Sequence, residues 1–161
     1  MVEQRQRLGD WEIDTLVGKG HRGALVSLVE RKSRYTLLQP VPQRLANLVA
    51  DATISLLHPL AGLVHTITGD NGKEFADHAR IAEALKANFY FAHPYSAWER
   101  GTNENTNGLV RQYFPKTTDF SKVTPSATKT AIDRLNHRPR KCLDFKSPFE
   151  VFFLPAVALQ C

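Results

Sequence analysis

The chain predicts an α/β domain: a five-stranded mixed sheet, three antiparallel strands then parallel strands, flanked by helices. Three observations carry that expectation. Residues 11–41 hold three runs rich in β-branched and apolar residues, joined by links of turn length. Beyond them, segments with apolar residues at helical spacing alternate with short apolar runs. The 161 residues, 42% hydrophobic and 23% charged, suffice for one domain with a sizeable core.

Taken in order, residues 11–17, 24–30 and 34–41 read as strands. The first link, Gly18-Lys19-Gly20-His21-Arg22-Gly23, lacks P-loop spacing and reads as a hairpin turn rather than a phosphate cradle. Arg31-Lys32-Ser33 is a second turn, so the three strands form a meander. Pro40 and Pro42 end the third strand, and Leu45, Leu48, Val49, Ala52 and Leu56 then place a helix over 44–57. A fourth strand follows at 63–68. Asn71-Gly72-Lys73-Glu74 reads as a capping box opening a helix that runs to Ala87. A fifth strand at 88–92, a helix holding Leu109, Val110, Tyr113 and Phe114, and a helix at 126–136 complete the domain, with tails at 1–8 and 154–161. This element order is that of the ribonuclease H-like fold.

Composition narrows the class. The start is polar and lacks the apolar segment of a signal peptide, and no stretch approaches transmembrane length. Cys142 and Cys161 have neither CxxC spacing nor dense pairing, which points to free thiols in a reducing cytoplasm. The six histidines form no His-x-x-x-His pair and no Cys stands near one, which argues against zinc. No Gly-x-Ser-x-Gly is present for serine nucleophile chemistry. A net charge of +5 suits a polyanionic partner, and equally a solvated basic surface.

Three carboxylates stand in distinctive surroundings. Asp14 closes Gly9-Asp10-Trp11-Glu12-Ile13-Asp14 inside the first strand, where burial of an ionised acid demands compensation. Glu12 lies on the same face and competes for the role. Asp70 ends the fourth strand and opens Asp70-Asn71-Gly72-Lys73-Glu74-Phe75, with Asn71 the better residue for the helix cap. It thus sits at the carboxyl end of a strand, where open α/β sheets place ligands. Glu104 lies within Gly101-Thr102-Asn103-Glu104-Asn105-Thr106-Asn107, in the first turn of a helix, where a helix-dipole role is the structural alternative. Glu99 and Glu74 are the runner-up acids. An oxygen-only set of this kind suits Mg²⁺ or Mn²⁺.

These motifs, with Pro94-Tyr95-Ser96, Asn136-His137-Arg138-Pro139-Arg140 and Ser147-Pro148-Phe149-Glu150-Val151-Phe152, resemble the catalytic core of a bacterial insertion-sequence transposase of the D-D-E type, in the retroviral-integrase-like superfamily. The resemblance runs from about Gly9 to Phe153. It implies Asp14, Asp70 and Glu104 as the catalytic and metal-binding acids, favours Asp14 over Glu12, and implies two Mg²⁺ or Mn²⁺ ions. It also implies DNA as substrate, cleaved at the 3′ ends of a mobile element and then joined to target DNA, with a homo-oligomer assembled on DNA in the bacterial cytoplasm. Whole transposases of this type carry an amino-terminal helix-turn-helix region, so the chain reads as an excised core.

Around the acids, Asn105 and Asn107 are expected to orient waters or phosphates. Glu104, Asn107, Gly108 and Arg111 share a helix face, which makes Arg111 a phosphate candidate, with Lys73 another beside Asp70. The basic run Arg134, Arg138, Arg140, Lys141 and Lys146 reads as a DNA-backbone surface or as a merely solvated face. Residues 94–101 read as a mobile loop. Two other readings stay open: a ribonuclease H-like nuclease, and a catalytically inactive DNA-binding or oligomerisation module.

Overall fold

Five strands form one sheet in the computed structural model, which describes residues 7–92 and 101–158, with backbone alone at 101–103 and 155–158. They are β1 (Asp10–Val17), β2 (Ala24–Glu30), β3 (Thr36–Val41), β4 (Thr66–Gly69) and β5 (Asn88–Phe91), in the order β3-β2-β1-β4-β5. β1 pairs antiparallel with β2, and β2 with β3; β4 is parallel to both β1 and β5. The helices are α1 (Ala46–Leu57), α2 (His78–Leu85), α3 (Gly101–Val110), α4 (Pro125–His137) and α5 (Pro148–Ala158).

Strand alternation divides the core in two. Trp11 and Ile13 point to one face, where Val26, Leu28, Val49, Ile67, Phe75 and Ile81 pack under α1 and α2. Leu16, Leu25 and Leu38 point to the other and meet Val110, Phe114, Ala131 and Leu135 of α3, α4 and the turn between them. Phe152 of α5 closes one end, edge-on to Trp11 and stacked on Tyr35.

Several boundaries differ from those the sequence predicts. Arg34 takes a left-handed conformation (φ 65°) and belongs to the turn, so β3 begins at Thr36. Pro40 lies inside β3 rather than ending it, which an edge strand tolerates because one side of its backbone needs no donor. Residues His58–Leu63 form a 3-10 turn, which shortens β4. α5 runs to Ala158, into the stretch read as a tail. The capping box at Asn71 does not form. Lys73–Phe75 make a 3-10 turn, α2 begins only at His78, and Glu74 is buried instead of reaching back to the backbone.

The seam between β1 and β4 is tied at its start. Asp10 accepts from the Thr66 hydroxyl at 2.7 Å and from Arg7 through a two-bond fork at 3.0 Å. Gly9, at φ 112°, turns its carbonyl toward the amides of His65 and Thr66, and a Cβ there would collide with the His65 ring. On the far edge, the Asn136 side chain accepts from Thr36 N–H and donates to Thr36 C=O, both at 2.8 Å. One amide thereby extends the β3 ladder and anchors the end of α4. Asn136→Ala should leave two buried backbone groups unpaired and lower stability by about 2–4 kcal/mol. Urea unfolding measures it, and a loss under about 0.5 kcal/mol would refute the clamp.

Candidate active site

Asp14 shares its face of β1 with Glu12 and Leu16, the face that α3 and α4 cover. Its register partner on β2 is Ser27. On the other side Glu12 pairs with Thr68; continued step for step, that parallel register brings Asp14 level with Asp70, the first residue past β4. α3 arrives from above: the Asn107 amide donates to Asp14 Oδ2 at 2.8 Å, while Asp14 Oδ1 accepts from Thr15 N–H at 2.8 Å. Because a carboxylate only accepts, this contact fixes which end of the Asn107 amide is the nitrogen. Glu104 lies one turn earlier on α3, exposed, on the same helix face as Asn107.

The three predicted acids thus come from the central strand, the end of its parallel neighbour and the helix bonded to Asp14. They are not drawn into a tight cluster: among the described residues no three His, Cys, Asp or Glu side chains stand close enough to hold one ion. The surrounding chemistry nevertheless suits a hard cation. Asn107 Oδ1 and Ser27 Oγ, on the residue bonded to Asp14 and the residue paired with it, are buried without a hydrogen-bond partner, as oxygens that suit water or an ion's hydration shell. Ser27 is the small polar interruption in the apolar strand Ala24–Glu30, the signal by which its place opposite Asp14 could have been found.

The competing acids have other work. Glu12 is buried and faces Arg31 at 3.5 Å. Glu74 is buried under the opposite face of the sheet, where its Oε1 accepts from Arg44 at 2.6 Å and from the Thr15 hydroxyl at 3.2 Å. Arg44 also donates to Thr15 Oγ1 at 2.9 Å. Glu74 therefore staples the segment after Asp70 to the strand that carries Asp14. Asp70 closes a local turn: its Oδ1 accepts from Gly72 N–H at 2.8 Å.

Of the other candidates, Lys73 and Asn105 are exposed near Asp70 and Glu104. Arg111 is turned back on the chain. Its guanidinium lies 3.3–3.5 Å from the carbonyls of Val17, Phe114 and Pro115 and over the Phe120 ring, and burial lowers its pKa. Arg138 and Lys141 are exposed, whereas Arg140, expected with them on a basic surface, is buried. Glu99 and the 94–100 part of the expected loop lie outside the described residues.

The chain is 47% identical to the transposase for insertion sequence element IS4351 of Bacteroides fragilis, over 94% of this chain and 47% of that protein. It is 44% identical to the transposase for IS1086 of Cupriavidus metallidurans, over 93% of this chain and 44% of the relative. Against the IS30A transposase of Escherichia coli the identity is 40%, over 93% and 39%. The chain therefore spans about half the length, or less, of these relatives. No protein-family model matches it. In structure it resembles the catalytic core domain of BIV integrase, with a TM-score of 0.70 at 18% identity, over 94% of this chain and 98% of that one. It also resembles a chain of a simian T-cell lymphotropic virus intasome, with a TM-score of 0.74 at 17% identity, over 91% and 55%. The sheet order and the helices on both faces are those of the ribonuclease H-like fold.

Glu74→Ala would release both Thr15 and Arg44 and should cost about 1–3 kcal/mol, read by urea unfolding. If instead the midpoint stays within error of the parent, the buried carboxylate is not what fixes the segment after Asp70.

Proposed function

From the chain's kinship with insertion-sequence transposases, we propose that it is the catalytic core of a D-D-E transposase, cleaving DNA at element ends and joining those ends to target DNA. The observation that carries the reading is the convergence just described: Asp14 on β1 and Asp70 just past the end of its parallel neighbour β4, with α3 bonded to Asp14 through Asn107 one turn from Glu104.

Asp14, Asp70 and Glu104 would hold two Mg²⁺ or Mn²⁺ ions, which when bound supply Lewis-acid activation of the attacking hydroxyl and charge neutralisation at the leaving oxygen. The chain's own residues do the positioning. Asn107 and the Thr15 amide fix the two oxygens of Asp14, so its carboxylate plane is set before substrate arrives. The Gly72 amide does the same for one oxygen of Asp70. Arg111, engaged with carbonyls, braces the end of α3 against β1 and so supports Asn107 and Glu104.

In cleavage, a water oxygen forms a bond to phosphorus and the 3′-oxygen leaves with a proton. In joining, that 3′-oxygen attacks a target phosphodiester and displaces the target's own 3′-oxygen. One P–O bond forms as one breaks each time, and no bond to protein is made. Lys73, Asn105, Asn107, Arg138 and Lys141 would line the DNA path. Paired ends require more than one copy of the chain on the DNA, acting in the bacterial cytoplasm. No helix among the described residues is long and apolar enough to cross a membrane.

Thermal unfolding with and without Mn²⁺ tests the acids. At about 100 times Kd the parent should gain roughly 5–11 °C, and Asp70→Asn should gain none. In parallel, Asp14→Asn and Asp70→Asn should abolish Mn²⁺-dependent strand transfer between labelled duplexes. Either variant joining DNA at the parent's rate would sink this assignment.

A further inference from the structure

Among the described residues, Arg140 is a buried cation without an ion-pair partner. It is 8% exposed, and its Nε and Nη2 are buried without a hydrogen-bond partner. None of the ion pairs among the described residues includes it. A guanidinium carries five donors and stays charged, so burying it without a counter-charge is strongly unfavourable. The side chain does not lack support: its backbone is locked. Arg140 N–H donates to Lys146 C=O at 3.0 Å, and Arg140 C=O accepts from Leu143 and Phe145 at 3.0 and 2.8 Å. That knot holds both Asp144 and Phe145 at positive φ. The chain thus maintains a costly placement of Arg140 by a defined loop.

Two further guanidiniums come to the same corner. Asn136 clamps Thr36, which ties the end of α4 to the start of β3, and Arg138 and Arg34 both lie close enough to Arg140 to act on it electrostatically. Burial foremost, with Arg138 and Arg34 adding repulsion, holds Arg140 below the usual guanidinium range; Cys142 and Tyr113 act weakly the other way. The buried, unpartnered N–H donors of Arg140, with Arg138 close by, suit a group with several anionic oxygens, and the planar fork of arginine matches phosphate. Arg138 also reaches Gln112 at 3.5 Å, eight residues beyond Glu104 and therefore on the order of 12 Å along the helix direction. At about 3.4 Å per nucleotide along one strand, that is a few nucleotides.

We propose that Arg140 is the floor of a pocket for one phosphate group, rimmed by Arg138 and the β2–β3 turn, and that its occupant is a backbone phosphodiester of bound DNA. The identity of the occupant rests on the function proposed above; the pocket does not. The bound phosphate completes the charge balance of the fold, so the site measures DNA in place as well as contributing to its affinity.

The test compares the parent, Arg140→Met and Arg138→Ala in sodium chloride and in sodium phosphate at matched ionic strength. At about ten times Kd, phosphate should raise the parent's Tm by roughly 3–6 °C and Arg140→Met not at all. Arg138→Ala, an exposed rim change, should respond less than the parent. In chloride, Arg140→Met should be at least as stable as the parent, because an uncompensated buried charge has been replaced by an apolar chain. On duplex DNA, Arg140→Met should lose about tenfold in affinity and lower the slope of log K against log salt by about one. An Arg140→Met that unfolds earlier in chloride would mean that a carboxylate of the chain, such as Asp144, pairs with Arg140, and the pocket falls. An equal phosphate response in parent and Arg140→Met overturns it too. If phosphate response and salt slope behave as expected while the parent shows no Mn²⁺-dependent cleavage, the pocket stands and the transposase reading falls. Cleavage without a phosphate response gives the reverse.

Discussion

The parallel pairing of β1 with β4 is the constraint on which the site depends. With Glu12 set against Thr68, Asp14 and Asp70 come level and share one face of the sheet. Slipping the register by one residue would turn every side chain of β4 to the opposite face, moving Ile67 out of the core and Asp70 away from Asp14. A parallel pair has no hairpin to fix its register. Here the work falls on polar contacts at the strand starts: Asp10 to Thr66, the Gly9 carbonyl to two amides, and the Trp11 indole to the Leu63 carbonyl at 3.0 Å. Burial pushes the Asp10 carboxyl upward, but the hydrogen bonds from Arg7 and Thr66 and the nearby Arg7 and Arg31 charges outweigh it and leave the group below its ordinary value.

The sheet also sorts its acids by what they face. Asp10, Glu12 and Glu74 are buried and meet Arg7, Arg31 and Arg44. Glu30 is buried too, accepting from the Ser33 amide and hydroxyl and from the Lys32 amide to build the β2–β3 turn. Each of these carboxylates fixes a turn, a strand end or a link. Asp14 and Asp70 are half-buried, and their oxygens accept from backbone amides and the Asn107 amide. Exposure separates Asp14 from Glu12, two residues away on the same face: Glu12 is buried, while Asp14 keeps partial access to solvent.

Much of the sheet was legible because its signals are local. β2 is a continuous run of buried residues bounded by turns, and its limits match the sequence pattern residue for residue. The central place of β1 follows from a meander that also receives later strands. What could not be read was partner choice at long range. Glu74 has the spacing of a capping box, yet its partners lie 30 and 59 residues earlier in the chain, in α1's approach and in β1. Once Glu74 is drawn under the sheet, the first turn of the expected helix loses its cap and winds as a 3-10 turn. Arg140 shows the limit from the other side: its neighbours Arg138 and Lys141 are exposed as a basic run should be, while the knot at residues 140–146 turns this one inward.

The way α3 is held bears on how the third acid is delivered. Its carboxyl end is fixed by Val110, with Phe114 just beyond, both in the core between α3 and α4, and by Arg111 against the end of β1. Toward its amino end the sequence turns polar: residues 101–108 are Gly-Thr-Asn-Glu-Asn-Thr-Asn-Gly, a composition that holds a helix poorly on its own. The Asn107–Asp14 hydrogen bond and the buried Thr106 hold the turn of α3 next to Glu104, which is itself exposed. Among the described residues the three acids do not form one close group, which avoids the repulsion of three close carboxylates. Strand register fixes Asp14 and Asp70, while Glu104 stands exposed in the first turn of a helix.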